Sequence, residues 1–286
     1  MTNSEITDPL FRQAVEAIDA GDEATLRALV DAHPRLVRDR LVSAEKGYFE
    51  KPYLIWFVAD NPIRHEKLPD NIVEVAGLLI GYVRQLAPET YDHQINYTLG
   101  LVATGRIPRE CGVQIALIDL LLESGAVAGG VEGVIGHGNL EAAAHIILRG
   151  GELSLAASVG FGRKEDMERL LASASLDDKN LALIVAAFFG RTDLLARLVA
   201  KGARPNEMPV NGHGFHSHAS ALHQAVYSGS VEAVKFLVEA GADLRAVDKA
   251  YDGTPLDWAN YMQREEGVDV EMRGKYKIIE EYIKGL

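Results

Sequence analysis

Four imidazoles crowd residues 213–223: His213, His216 and His218 in one glycine-containing loop, and His223 just beyond it. Closely spaced imidazoles can supply nitrogen ligands for zinc, nickel or iron, and Asp252 or Asp257 could complete such a site. The same groups can act as general acid or base on a small molecule near neutral pH. The spacing His-x-x-His-x-His matches no high-specificity metal motif such as His-Glu-x-x-His. A loop stiffened by local hydrogen bonds explains it as well, so metal binding, ligand contact and a structural role stay open for His213, His216 and His218. A divalent metal at this loop is the only cofactor the sequence suggests.

Aromatic residues surround the same loop: Phe215, Tyr227, Tyr251, Trp258 and Tyr261. Aromatic side chains dominate protein interfaces because they bury much area at little entropy cost. With His216, His218, Asp252 and Asp257 they form the candidate binding patch, Phe215, Tyr227, Tyr251 and Trp258 being its apolar part. A second aromatic group, Tyr48, Phe49, Tyr53 and Trp56, lies near the N-terminus. Cys111 is the only cysteine, which excludes an internal disulfide and a cysteine-based zinc cage. A lone cysteine reads as a small buried hydrophobe. Glu110-Cys111 with His137 or His145 would imitate a Cys–His pair, but nothing in the spacing fixes them together. No phosphate-binding loop and no Gly-x-Ser-x-Gly elbow occurs, and Gly160-Phe161-Gly162 follows no strand.

The elements that must position these residues announce themselves by glycine spacing. Gly229 and Gly241 stand 12 apart, as do Gly190 and Gly202, and Gly138 and Gly150. Between each pair apolar residues recur at three- and four-residue steps, as in Val231, Val234, Leu237 and Val238. Each unit predicts a short helix, the first glycine permitting a tight turn and the second a left-handed C-terminal residue. Such a helix cannot bury its stripe alone. Partners precede it: Ser220–Ser228 before Gly229, and Leu181–Phe189 before Gly190, with small Ala225 and Ala186 allowing close approach.

Here the chain resembles the ankyrin-repeat family. Its signature Thr-Pro-Leu-His…Gly…Gly-Ala-Asp is carried by Ala221-Leu222-His223, Gly229 and Gly241-Ala242-Asp243, and again by Asp252-Gly253-Thr254-Pro255-Leu256. The match is strongest over 180–260, and weaker copies extend almost end to end. The resemblance implies an all-α solenoid of about eight helix pairs with short finger loops and little β structure. It implies one continuous stack over 1–286, with degenerate repeats and insertions over 1–126, and clearer repeats and a C-terminal cap over 127–286. It places 211–219 in a finger loop rimming a concave groove, and gives His223 a backbone hydrogen bond. Insertions at 62–69, 104–112 and 263–273 all fall between a first and a second helix. The function implied is protein–protein interaction through the concave face and fingers; a protein using loop 213–223 for catalysis or for a small ligand or metal is the alternative.

Acidic residues outnumber basic ones by 41 to 29, for a net charge of -12. That balance repels phosphate backbones and anionic lipid, so nucleic acid and membrane are not the expected partners. No apolar stretch approaches the ~20 residues needed to cross a bilayer, and no secretory signal opens the chain. The cytoplasm is the expected compartment.

Overall fold

A computed structural model describes residues 5–42, 47–208, 215 and 218–286. All regular structure among them is helical. The chain divides into two compact units, Met1–Glu152 and Leu153–Leu286.

In the first unit α1 (Pro9–Ala20) packs antiparallel on α2 (Glu23–Ala32), followed by the single turn α3 (Arg35–Arg38). The next pair is a 3-10 helix, Leu54–Ala59, with α4 (Ile72–Leu86). A second short 3-10 turn, Pro88–Thr90, leads into α5 (Tyr91–Thr104). The one-turn α6 (Arg106–Glu110) joins α5 to α7 (Gln114–Glu123), and α8 (Val131–Gly136) pairs with α9 (Leu140–Leu148). The second unit repeats the hairpin four times: α10 (Leu155–Phe161) with α11 (Lys164–Leu171), α12 (Leu176–Phe188) with α13 (Thr192–Ala200), α14 (Ala221–Tyr227) with α15 (Val231–Glu239), and α16 (Pro255–Met262) with α17 (Val270–Lys284). Eight pairs result among the described residues, as the resemblance implies.

Three departures from the sequence expectation have local causes. The first member of the second pair is a 3-10 helix because its six residues are hemmed in by Pro52, a left-handed Asp60 and Pro62. The last helix starts at Val270, a turn before Gly274, because the Asp269 carboxylate accepts from the Met272 N–H and caps it there. Cys111 is exposed rather than buried, since it follows α6 directly on the insertion.

The two units hold their helices differently. The first helices α10, α12, α14 and α16 all start at a hydroxyl cap, Ser154, Ser175, Ser220 and Thr254, whose oxygen accepts an N–H of the first turn. In the first unit α4, α5, α7, α8 and α9 have no side-chain cap. There large side chains carry the fold. Phe11, Phe49, Trp56 and Phe57 meet at tilted or edge-on angles, the geometry aromatic pairs prefer. The 62–69 insertion is pinned by buried charge. Arg64, its side chain 1% exposed, pairs through Nη1 and Nη2 with Asp19 at 2.9 Å, and Asp60 accepts from the N–H groups of Arg64, His65 and Glu66.

Gly241 closes α15 with a φ of 88°. Its N–H reaches the Val238 carbonyl, and that of Ala242 reaches Leu237, the arrangement that ends helices on a left-handed residue. A Cβ at Gly241 would meet nothing within 4 Å. Gly241→Val should therefore lose on the order of 1–2 kcal/mol from backbone strain alone. A thermal melt of the variant checks this, and an unchanged midpoint would remove the left-handed assignment.

Candidate binding surface

The finger between α15 and α16 is built around one buried carboxylate. Asp248 is 1% exposed. Its Oδ1 accepts from the N–H of Ala250 (2.8 Å) and Tyr251 (2.7 Å), and its Oδ2 from the N–H of Gly253 (3.0 Å) and the indole Nε1–H of Trp258 (2.9 Å). Burial alone would push this carboxyl upward. The Trp258 indole and the three backbone N–H groups together outweigh it and hold the group below the usual carboxylate range, so it stays ionised. One residue thus folds the finger, fixes the Trp258 ring and presents Tyr251 outward, 79% exposed.

His223 belongs to the same framework. Its Nε2 lies 3.0 Å from the Gly253 carbonyl and its Nδ1 2.7 Å from the Ser220 hydroxyl. Burial pushes its pKa below the usual value, against the opposing pull of Gly253 and Asp248, so the ring is neutral at pH 7. Neutral imidazole then donates from Nε2 and accepts at Nδ1. The role is the backbone-holding one that the resemblance implies. The Trp258 ring meets His223 edge-on at 5.1 Å and lies 6.1 Å from His218, whose ring stands 6.2 Å from Tyr251. The Lys249 N–H donates to the His218 carbonyl at 2.8 Å, which stitches two neighbouring fingers together.

The other sequence candidates separate. Phe215 is wholly buried and meets Phe188 edge-on at 5.3 Å; it serves the core and is no part of an exposed patch. Asp257 is exposed, but its carboxylate accepts from the Thr254 N–H and hydroxyl as the cap of α16, and the Thr254 hydroxyl holds its pKa low. Asp252 is exposed with a left-handed φ of 53°. His213 and His216 lie outside the described residues. Among the described residues no group of three or more His, Cys, Asp or Glu side chains is placed to hold a metal ion.

The first helices of the second unit also carry an aromatic row. Counting from each hydroxyl cap, the residue at the same place in the first helix is aromatic: Phe161 after Ser154, Tyr227 after Ser220 and Tyr261 after Thr254. Phe188 fills the place in α12, two residues before Gly190, as Tyr227 stands two before Gly229. Phe188 and Tyr227 stack with centroids 5.5 Å apart and planes 14° from parallel. Tyr227 is 45% and Tyr261 63% exposed. Tyr251 lies close enough to raise the Tyr261 pKa, although the larger cause is the Glu265 hydrogen bond.

A sequence model of ankyrin repeats matches residues 135–248 in three copies. Residues 135–248 are ankyrin repeats. Phe161, Phe188 and Tyr227 lie within the matched repeats, and Asp248 stands at their end. No curated protein matches the chain. Among solved structures 97 chains match. One is the crystal structure of the human ASB11 ankyrin repeat domain, 20% identical, covering 72% of this chain and 96% of that one at a TM-score of 0.34. An overlay that loose carries no functional argument. Ankyrin repeats in general are protein–protein interaction modules.

Proposed function

We propose that the second unit docks a protein partner on the face formed by the aromatic row and the Asp248 finger. The observation that carries this reading is the row itself. Three of its four helices carry Phe188, Tyr227 and Tyr261 in their last turn, and the neighbouring finger adds Tyr251. Tyrosines left 45%, 63% and 79% exposed on capped helices and a clamped turn are pre-ordered, so binding costs little further conformational entropy. No catalytic step needs this arrangement. His223 and Asp248, both buried, face backbone and neighbouring rings.

The double variant Tyr251→Ser/Tyr261→Ser tests the reading. Both rings are exposed, so the melting temperature should stay within about 1 °C of the parent, as for surface changes of under ~0.5 kcal/mol. Affinity purification from the native cell should return a partner with the parent chain and lose it with the variant. A partner retained in full by the variant would move the docking face elsewhere.

A further inference from the structure

In the first unit a different surface carries chemistry of its own. The Arg40 guanidinium lies over the rings of Tyr53 and Trp56, 5.1 and 5.3 Å from their centroids. Its Nη2 is 3.5 Å from His93 Nε2 in the first turn of α5. Arginine has five N–H donors. Arg40 gives one of them to His93, and no carboxylate lies within ion-pair distance of it among the described residues. Arg40 and His93 are both exposed, whereas Tyr53 and Trp56 beneath are buried. A cation held flat on aromatic faces keeps its free edge oriented, which favours planar two-point recognition of an anion.

That platform adjoins an open groove. Tyr97, one turn after His93 on α5, stacks on Trp56 at 4.0 Å and also lines a groove of about 740 Å3 with Tyr48, Ile63, Leu101 and Thr104. Apolar atoms form most of its wall. Its far rim holds Arg106 and His137, and Arg106 pairs with Glu110 and Glu66. The anion-seeking end is therefore Arg40 and His93, with an apolar trough leading away from it. We propose that this α5 surface binds an acidic peptide segment. Its carboxylate sits on Arg40 beside His93, and a neighbouring apolar side chain lies in the groove against Tyr97. The occupant is argued from charge complementarity: a chain of net charge -12 repels acidic partners everywhere except where an uncompensated cation is held in place. The inference builds on the protein-binding reading for the class of partner but uses none of the residues of the aromatic row.

Selection of random peptides about twelve residues long on the full chain tests it, followed by affinity measurement on the parent and variants. The expected winners place Asp or Glu within a few positions of an aliphatic or aromatic residue. Arg40→Gln should weaken them about tenfold, the scale of one charge-assisted bidentate contact, and Arg40→Lys by less because it keeps the charge without the fork. Tyr261→Ser should leave their affinity unchanged, so this site and the aromatic row fail or succeed separately. Winners that are neutral or basic, no winners, or acidic winners indifferent to both Arg40 variants would overturn the proposal. So would displacement by millimolar inorganic phosphate, which would reassign the platform to small anions. A melt of each Arg40 variant guards against unfolding; if Arg40→Gln unfolds, Arg40→Lys and His93→Gln decide.

Discussion

Asp248→Ala should destabilise the second unit by about 2–3 kcal/mol and abolish the ordered presentation of Tyr251. The carboxylate takes four donors, three from backbone and one from Trp258. Removing it strands groups that each cost on the order of 1–3 kcal/mol when buried without a partner. The total stays below their sum because the finger lies at the surface and can open to water. Asp248→Asn should fall between parent and alanine: it keeps one oxygen but sets an amide N–H₂ against groups that can only donate. Trp56 and Trp258 are the only tryptophans, so in a Trp56→Phe background the emission of Trp258 reports directly on this clamp. Loss of stability together with a red shift of that emission is the expected pair of results. An Asp248→Ala chain with the parent's melting point and emission would mean that the finger is held by something else. Acid acts on the same clamp. The Asp248 pKa is lower folded than unfolded, so its contribution is present above the ordinary carboxylate range and is lost as pH falls through the folded value.

Trp56→Ala should cost about 3–5 kcal/mol, the largest single-residue effect in the first unit. Trp56 is 1% exposed and touches Phe49, Tyr53, His93 and Tyr97 as well as the Arg40 guanidinium. The adjoining helices α4 and α5 lack side-chain caps, so this packing has few substitutes. Trp56→Phe should cost only about 1 kcal/mol. Among the described residues the buried indole Nε1 has no hydrogen-bond partner, and replacing the ring by phenyl removes that unsatisfied donor while keeping much of the apolar contact. Urea titration of both variants checks the contrast. Equal losses would show that the indole N–H finds an acceptor in solution.

Much of the second unit was legible because its local signals agree. Ser220, Thr254 and Pro255 mark helix starts, Gly229 and Gly241 mark turns, and the apolar stripe of α15 falls between them. The 3-10 helix over Leu54–Ala59 was not legible as such. Six consecutive apolar residues carry no periodicity, and the boundary is set by Asp60 adopting a left-handed conformation and taking three backbone N–H groups from the loop that follows. Tertiary bonds of that kind leave no mark on composition.

The candidate site shows the same division. His223 was readable from its place in the repeat, and Tyr251 from its place in the finger. Phe215 was misplaced because an aromatic in a polar loop looks exposed until the Phe188 ring beneath it is known. Asp248 was missed because a single Asp five residues before a glycine resembles any surface turn. The aromatic row lay in plain view as a constant distance from Ser154, Ser220 and Thr254, but only the caps seen in the structure supply the common origin for the count.

The most direct test of the account is photo-crosslinking from within the row. A benzophenone amino acid at position 227, 251 or 261, and for comparison at Arg197 on the second helix α13, would be activated in the native cell. The account predicts partner adducts from 227, 251 and 261 and none from 197. Adducts from 197 alone, or from all four alike, would contradict it.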